Sequence, residues 1–193
     1  KRVLCLDTDI LIHTDIVPLF ETKMANIIAG VFQEDNVRNW AKISEFPENQ
    51  KMLNSGVLLM DLDAWRNNNM DDFVAHSIET LKHNNDQTIF NFICAKYGCG
   101  ELERRWNIYN LGCGERKSDS LIRGIYHWSC HRKWWKKDGT NTKIASAILK
   151  EIEKTTVVLM GYSTRRNRNY KSIFEAYGSP TSTSINKLPP LYY

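Results

Sequence analysis

Apolar positions along the chain fall in short runs separated by polar stretches. Val3, Leu4, Cys5 and Leu6 form the first run, which stops at Asp7 and Asp9 and resumes with Ile10, Leu11 and Ile12. Mixed β-branched and γ-branched residues in so short a run predict a strand buried on both faces of a parallel or mixed sheet. The two carboxylates then emerge at its C-terminal end, where open α/β sheets place ligands. Residues 15–20 predict a turn into a short helix, and Ile27, Ile28, Ala29, Gly30 and Val31 a second short buried strand. Residues 32–52 are irregular, a long connection of the kind that is often functional inside a domain. Asn54, Ser55 and Gly56 form a polar, glycine-containing entrance to a core strand over 57–62. Phe73, Val74, Ile78 and Leu81 share one helical face over 70–83, with Asp71 and Asp72 in the first turn, where carboxylates complement the helix dipole. Asp86 and Gln87 open a further helix, with Ile89, Phe90, Ile93 and Cys94 inward, that ends near Gly98. On local grounds Asp86 is an N-cap or first-turn residue.

The second half is more mixed. Residues 101–107 are charged around a central Trp106, which reads as structural, and 110–120 are glycine-containing loop. A brief strand over 124–128 runs into a basic, aromatic segment comprising His131, Arg132, Lys133, Trp134, Trp135, Lys136 and Lys137. Ile144, Ala145, Ile148, Leu149 and Ile152 make 142–154 an amphipathic helix. A β-type run over 156–160, a small-residue turn, a cluster of Arg165, Arg166 and Arg168, and helical spacing at Tyr170, Ile173, Phe174 and Tyr177 follow. This pattern divides the chain into a core domain over 1–154 and, over 155–193, the start of a second α/β domain or a C-terminal extension. The Ser- and Pro-containing tail is loop-like, and no internal repeat is visible.

At 193 residues, 42% hydrophobic and 25% charged, the chain has room for one good-sized core, which sets it apart from a disordered tail. A net charge of +4 suits an anionic ligand such as a nucleotide diphosphate and is too small to argue for wholesale nucleic-acid binding. Five cysteines at irregular spacing do not suggest a disulfide framework, and at least one thiol stays unpaired within the chain. Cys94, Cys99, His127 and His131 do not have zinc-finger spacing. No apolar run is long enough to span a bilayer and no signal peptide opens the chain. The chain starts with Lys and enters a core strand within two residues, so we read it as a piece of a longer polypeptide.

Two carboxylates one residue apart repel each other and are costly to desolvate, so Asp7 and Asp9 call for a cation. Oxygen ligands favour Mg²⁺ or Mn²⁺, which usually bridges to a phosphate. The plainer alternative is a solvated acidic turn. Trp128, Trp134 and Trp135 suit either core packing or an aromatic platform for a ligand ring. The interleaved cations and tryptophans of 131–137, with the basic stretch 165–171, also fit a polyanion-binding module. That rival leaves the acidic pair unexplained.

Taken in order, Leu6-Asp7-Thr8-Asp9, Asn54-Ser55-Gly56-Val57-Leu58-Leu59-Met60, Asp86-Gln87, Trp106-Asn107 and His127-Trp128 through Lys133 resemble glycosyltransferase family 8. Five motifs in order are far more specific than any one of them. The resemblance is nearest the xylosyltransferase-like branch. It implies a Rossmann-like mixed sheet flanked by helices (the GT-A type), lacking the family's N-terminal part. It also implies a UDP-sugar donor, Mn²⁺ or Mg²⁺, a glycan or glycoprotein acceptor, retention of configuration and no nucleic-acid partner. On the family's motifs Asp7, Asp9 and His127 would ligate the metal. Lys133 would contact the diphosphate, together with the cofactor-facing Asp7 and the loop at Cys130. Asn54, Asp86 and Gln87 would hold the donor sugar at the reacting carbon. Cys130 stands where the family has Gly, so its Cβ is expected to push the loop from the phosphate, which keeps an inactive sugar-nucleotide-binding relative as an alternative. Residues 157–163 and the helix after them resemble the opening of another nucleotide-sugar transferase domain. A two-domain parent of that kind is expected in the Golgi lumen if eukaryotic and in the cytoplasm if bacterial, with membrane contact only through a segment outside this chain.

Overall fold

The computed structural model describes residues 1–33, 46, 51–81, 85–114 and 121–154. The predicted strand and helix of 155–193, most of the connection over 32–52, and residues 115–120 of the predicted loop lie outside the described residues.

A nine-residue strand, β4 (Leu53–Asp61), runs through the centre of the core. It pairs antiparallel with β1 (Arg2–Leu6) on one side and with β3 (Ile28–Phe32) on the other. The short β5 (Gly100–Glu101) adds parallel to β3, giving a mixed sheet in the order β1-β4-β3-β5. A second, antiparallel pair joins β2 (Ile10–His13) to β6 (Gly124–His127), with Ile10 opposite His127.

Side-chain alternation along β4 divides the core, because successive residues of a strand face opposite ways. Leu58 and Met60 point to one side, where they pack with Met70, Ile93 and Cys94 from the helices α3 (Met70–Thr80) and α4 (Asp86–Tyr97). Val57 and Leu59 point to the other, against Leu19, Trp106, Tyr109 and Ile125. Leu58 and Leu59 are wholly buried, each contributing on the order of 1.5–3 kcal/mol relative to an exposed position. A third cluster places Ala145 and Ile148 of α5 (Thr142–Lys154) on Tyr126 and Trp128. The expected mixed sheet with flanking helices is therefore the fold observed. Two short helices, α1 (Val17–Phe20) and α2 (Leu62–Asn67), complete it. α2 is capped by Asp61, whose side chain accepts from the amides of Asp63 and Ala64.

Three expectations need correction. β1 is not buried on both faces: Val3 and Leu6 are 38% and 39% exposed. Its apolar run specifies a strand, but burial depends on what lies across it, and among the described residues β1 pairs only with β4. Asn54, Ser55 and Gly56 lie inside β4 rather than at its entrance, because the strand bulges there: Gly30 pairs with Leu58, and the next residue, Val31, with Asn54. Finally, one disulfide exists, between Cys113 and Cys130, with Cα atoms 5.4 Å apart, while Cys5, Cys94 and Cys99 are free thiols.

Candidate active site

Residues 7–9 carry the chain from the large sheet to the small one. The Asp7 amide donates to the Gly56 carbonyl at 2.9 Å, and the Asp9 carbonyl accepts from the Trp128 amide at 2.9 Å. Because Ile10 is registered against His127, Asp9 arrives beside the last residue of β6. One carboxylate oxygen each from Asp7 and Asp9 and one ring nitrogen of His127 lie within 4.8 Å of one another. His127 Nε2 is 3.3 Å from Asp7 Oδ2 and 3.2 Å from Asp9 Oδ1.

Burial differs sharply within this trio. The His127 side chain is 3% exposed and that of Asp9 14%, whereas Asp7 is 45% exposed at the rim. Burial pulls the His127 pKa down, but hydrogen bonding and charge from Asp7 and Asp9 outweigh it and leave the imidazole above its ordinary range. Burial likewise pushes the Asp9 carboxyl up, yet His127 and Lys133 together bring it down to about 2. The Lys133 ammonium donates to Asp9 Oδ2 and, at 2.6 Å, to the Trp128 carbonyl.

These groups line a cleft of ≈ 420 Å³ that also takes in Asn54, Asp86, Gln87 and Cys130. The β4 bulge delivers Asn54 and Ser55 to it, the use to which bulges near active sites are often put. Asn85 caps α4 by accepting from the Thr88 amide at 2.9 Å, so Asp86 is the first-turn residue. Gln87 Oε1 accepts from the Ser55 amide at 3.4 Å, fastening helix to bulge. Cys130 has φ 77°, a left-handed conformation normally reserved for glycine. The backbone thus keeps a glycine's path, and the Cys130 side chain is tied to Cys113.

The structure therefore brings every sequence-predicted site residue to one cleft. Asn54 lines the cleft and is also bonded within the protein. It is 5% exposed, and its Oδ1 accepts from the Gly56 amide at 3.1 Å and from Asn107 Nδ2 at 2.8 Å. Trp128 is wholly buried and donates Nε1–H to the Thr140 carbonyl at 2.9 Å, which makes it core rather than a sugar platform. Trp106, 3% exposed, is structural as expected.

Sequence reasoning missed two residues. Gly56 packs against the Cε1–Nδ1 side of the histidine: a Cβ there would meet His127 Cε1 at 2.1 Å and Nδ1 at 2.4 Å. Asn107, wholly buried, lies with Oδ1 3.1 Å from His127 Nδ1. Both fall within the quoted motifs, and their only signal was that position.

A donor set of two carboxylate oxygens and one imidazole nitrogen suits Mn²⁺, or Mg²⁺ less well because of the nitrogen. The 3.2 and 3.3 Å separations fit adjacent ligands on an octahedral ion, which bonds of about 2.1–2.3 Å would set about 3.0–3.3 Å apart. The residues present therefore fit a divalent cation.

Solved structures share the fold. The chain is similar to galactosyltransferase LgtC, crystallised in complex with donor and acceptor sugar analogues, at a TM-score of 0.63 and 21% identity, covering 82% of this chain and 63% of that one. It is similar to the bifunctional glycosyltransferase WbbM at a TM-score of 0.65 and 12% identity, covering 90% and 34%. Similarity to the glycosyltransferase GlyE of Streptococcus pneumoniae TIGR4 has a TM-score of 0.55 at 21% identity, covering 84% and 45%. In sequence it is 26% identical over 129 residues to general stress protein A of Bacillus subtilis (strain 168), which spans 64% of this chain and 45% of that relative. The chain thus spans less than half the length of that curated relative. The model of the family described as glycosyl transferase family 8 matches residues 1–139, the stretch that carries all of the cleft, and the chain belongs to that family.

Proposed function

We propose that the protein is a retaining glycosyltransferase that moves a sugar from a UDP-sugar to an acceptor hydroxyl on a glycan or glycoprotein, with Mn²⁺ as cofactor. The convergence of Asp7, Asp9 and His127 on one small volume at the cleft carries this reading. Family membership supports sugar transfer as the reaction class.

Asp7, Asp9 and His127 would hold the cation. Bound there, it would supply Lewis-acid stabilisation of the charge that grows on a departing diphosphate. Among the described residues Lys133 has two of its three N–H donors engaged, by Asp9 and the Trp128 carbonyl, and the third would reach a phosphate oxygen. In a partly buried site that charge counts for more than it would in water. Gln87 and Asp86, at the start of α4, face the same cleft and would orient the sugar hydroxyls. Retention requires either a covalent sugar–enzyme adduct or attack on the face that the leaving group vacates. We favour same-face attack. The bond from the anomeric carbon to the diphosphate oxygen breaks, the bond to the acceptor oxygen forms, and the acceptor's proton passes to the leaving diphosphate. Asp86, an exposed first-turn residue, is the carboxylate that a covalent route would use.

The test is a panel of UDP-sugars incubated with Mn²⁺ and the full-length protein, following UDP release. Release is expected to require metal and to fall at least 100-fold in Asp9→Asn. Equal turnover in the variant, or in excess chelator, would refute the metal-dependent reaction. A sugar adduct trapped on Asp86 and found by mass spectrometry would replace same-face attack with the covalent route.

A further inference from the structure

Behind His127 the protein carries a chain of buried hydrogen bonds that begins at a backbone amide. The Gly56 N–H can only donate, and it donates to the Asn54 side chain at 3.1 Å. The Asn54 atom there is consequently its oxygen. Asn107 also faces that oxygen, at 2.8 Å, and must present its NH₂ group to it. With its nitrogen so committed, Asn107 turns its own oxygen to His127 Nδ1 at 3.1 Å. A ring nitrogen facing a carbonyl oxygen carries a hydrogen. In the neutral imidazole the lone pair is then left on Nε2, the nitrogen aimed at Asp7 and Asp9.

The ordering matters because the acids pull the other way. Two carboxylates beside Nε2 favour a proton on that nitrogen, which would make it a donor and remove it as a ligand. Within the neutral ring Asn107 opposes this from the other side, wholly buried and without exchange partners in water. Gly56 serves twice, as origin of the chain and as the residue whose missing side chain leaves room for Cε1 and Nδ1 of the ring.

We propose that Asn107 is a positioning residue that fixes which nitrogen of His127 is offered to the cation, with Asn54 and the Gly56 amide fixing Asn107 in turn. The inference rests on the metal-binding reading above and deepens it. It also gives Asn54 a task behind the histidine beside the sugar contact expected for it.

The experiment is Mn²⁺ titration of the full-length protein at pH 8, reading free aquo-Mn²⁺ by electron paramagnetic resonance, for wild type and Asn107→Leu. Loss of an outer-shell partner of a metal-ligating histidine typically weakens binding roughly 10–100-fold, and N107L is expected in that range. Wild-type protein loaded with ¹¹³Cd²⁺ supplies a second readout that no folding defect can disturb: one-bond ¹⁵N–¹¹³Cd coupling on Nε2 of His127, with a proton on Nδ1. Coupling on Nδ1, or N107L binding as tightly as wild type, would each overturn the role of Asn107 while leaving the metal site standing. Wild type taking up neither ion would overturn both.

Discussion

Gly56 is confined to glycine by the ring it supports. A methyl group would sit 2.1 Å from His127 Cε1, far inside van der Waals contact, so either the imidazole or the β4 bulge must move. Gly56→Ala is expected to destabilise the protein by about 1–3 kcal/mol in urea unfolding, in the range of overpacked sites, and to weaken Mn²⁺ binding at least 10-fold. Unchanged Mn²⁺ affinity would show that the ring is not held there. Lys133 permits a sharper measurement. Burial alone would lift the Asp9 carboxyl, and His127 and Lys133 together bring it to about 2. Lys133→Met is therefore expected to move Asp9 up toward its ordinary 3.8, read from its carboxyl ¹³C shift against pH, and an unmoved titration would mean that His127 suffices. Asp7, Asp9, His127 and Lys133 were legible in the sequence because each carries charge or a ring nitrogen within an ordered set of motifs. Asn107 was not, because it acts on His127 from 20 residues away, through an amide that in sequence could serve any loop.

Between the elements, hydrophobic spacing located the central strand and the helices at 70–80, 86–97 and 142–154, because periodic burial against a shared core leaves a repeating mark. The β4 bulge left none. Asn54, Ser55 and Gly56 read in sequence as a polar entrance, and the slip becomes visible only when β3 lies alongside. The bridge between Cys113 and Cys130 was equally hidden, since it joins two loops that meet only after β6 has paired with β2. It fastens the segment leading to Lys133 onto the loop at 110–114, beside the hydrogen bonds from the Gly112 amide to the Ser129 carbonyl and from the Arg132 amide to the Gly112 carbonyl. Closing a loop of 17 residues restricts the unfolded chain by about 3 kcal/mol on the chain-entropy model. Reduction is thus expected to lower the urea-unfolding free energy by roughly that amount. Cys113→Ser/Cys130→Ser should show the same loss and no further response to reductant. If the double variant still responded to reductant, the effect would belong to Cys5, Cys94 or Cys99 instead.

For the molecule as a whole, the same trio makes stability depend on pH in a way that metal should reverse. The His127 pKa is raised on folding, so its contribution is full below the ordinary 6.5 and is lost as pH rises through the raised value. The Asp9 pKa is depressed, so its contribution is full above 3.8 and is lost as pH falls toward about 2. From these two groups, chelator-treated protein should be most stable between about pH 3.8 and 6.5 and should weaken on the alkaline side. Mn²⁺ needs a deprotonated imidazole and two carboxylates, so binding strengthens as pH climbs over that same alkaline range. A ligand held at 100 times its Kd adds about 2.7 kcal/mol to folding, enough to outweigh the loss of one ion-pair contribution. Melting temperatures measured from pH 6 to 9 are therefore expected to fall with pH in chelator and to rise in saturating Mn²⁺. Parallel slopes in the two series would mean that the cation binds away from His127, whatever its affinity. Opposite slopes that become parallel in His127→Gln would trace the reversal to that one imidazole.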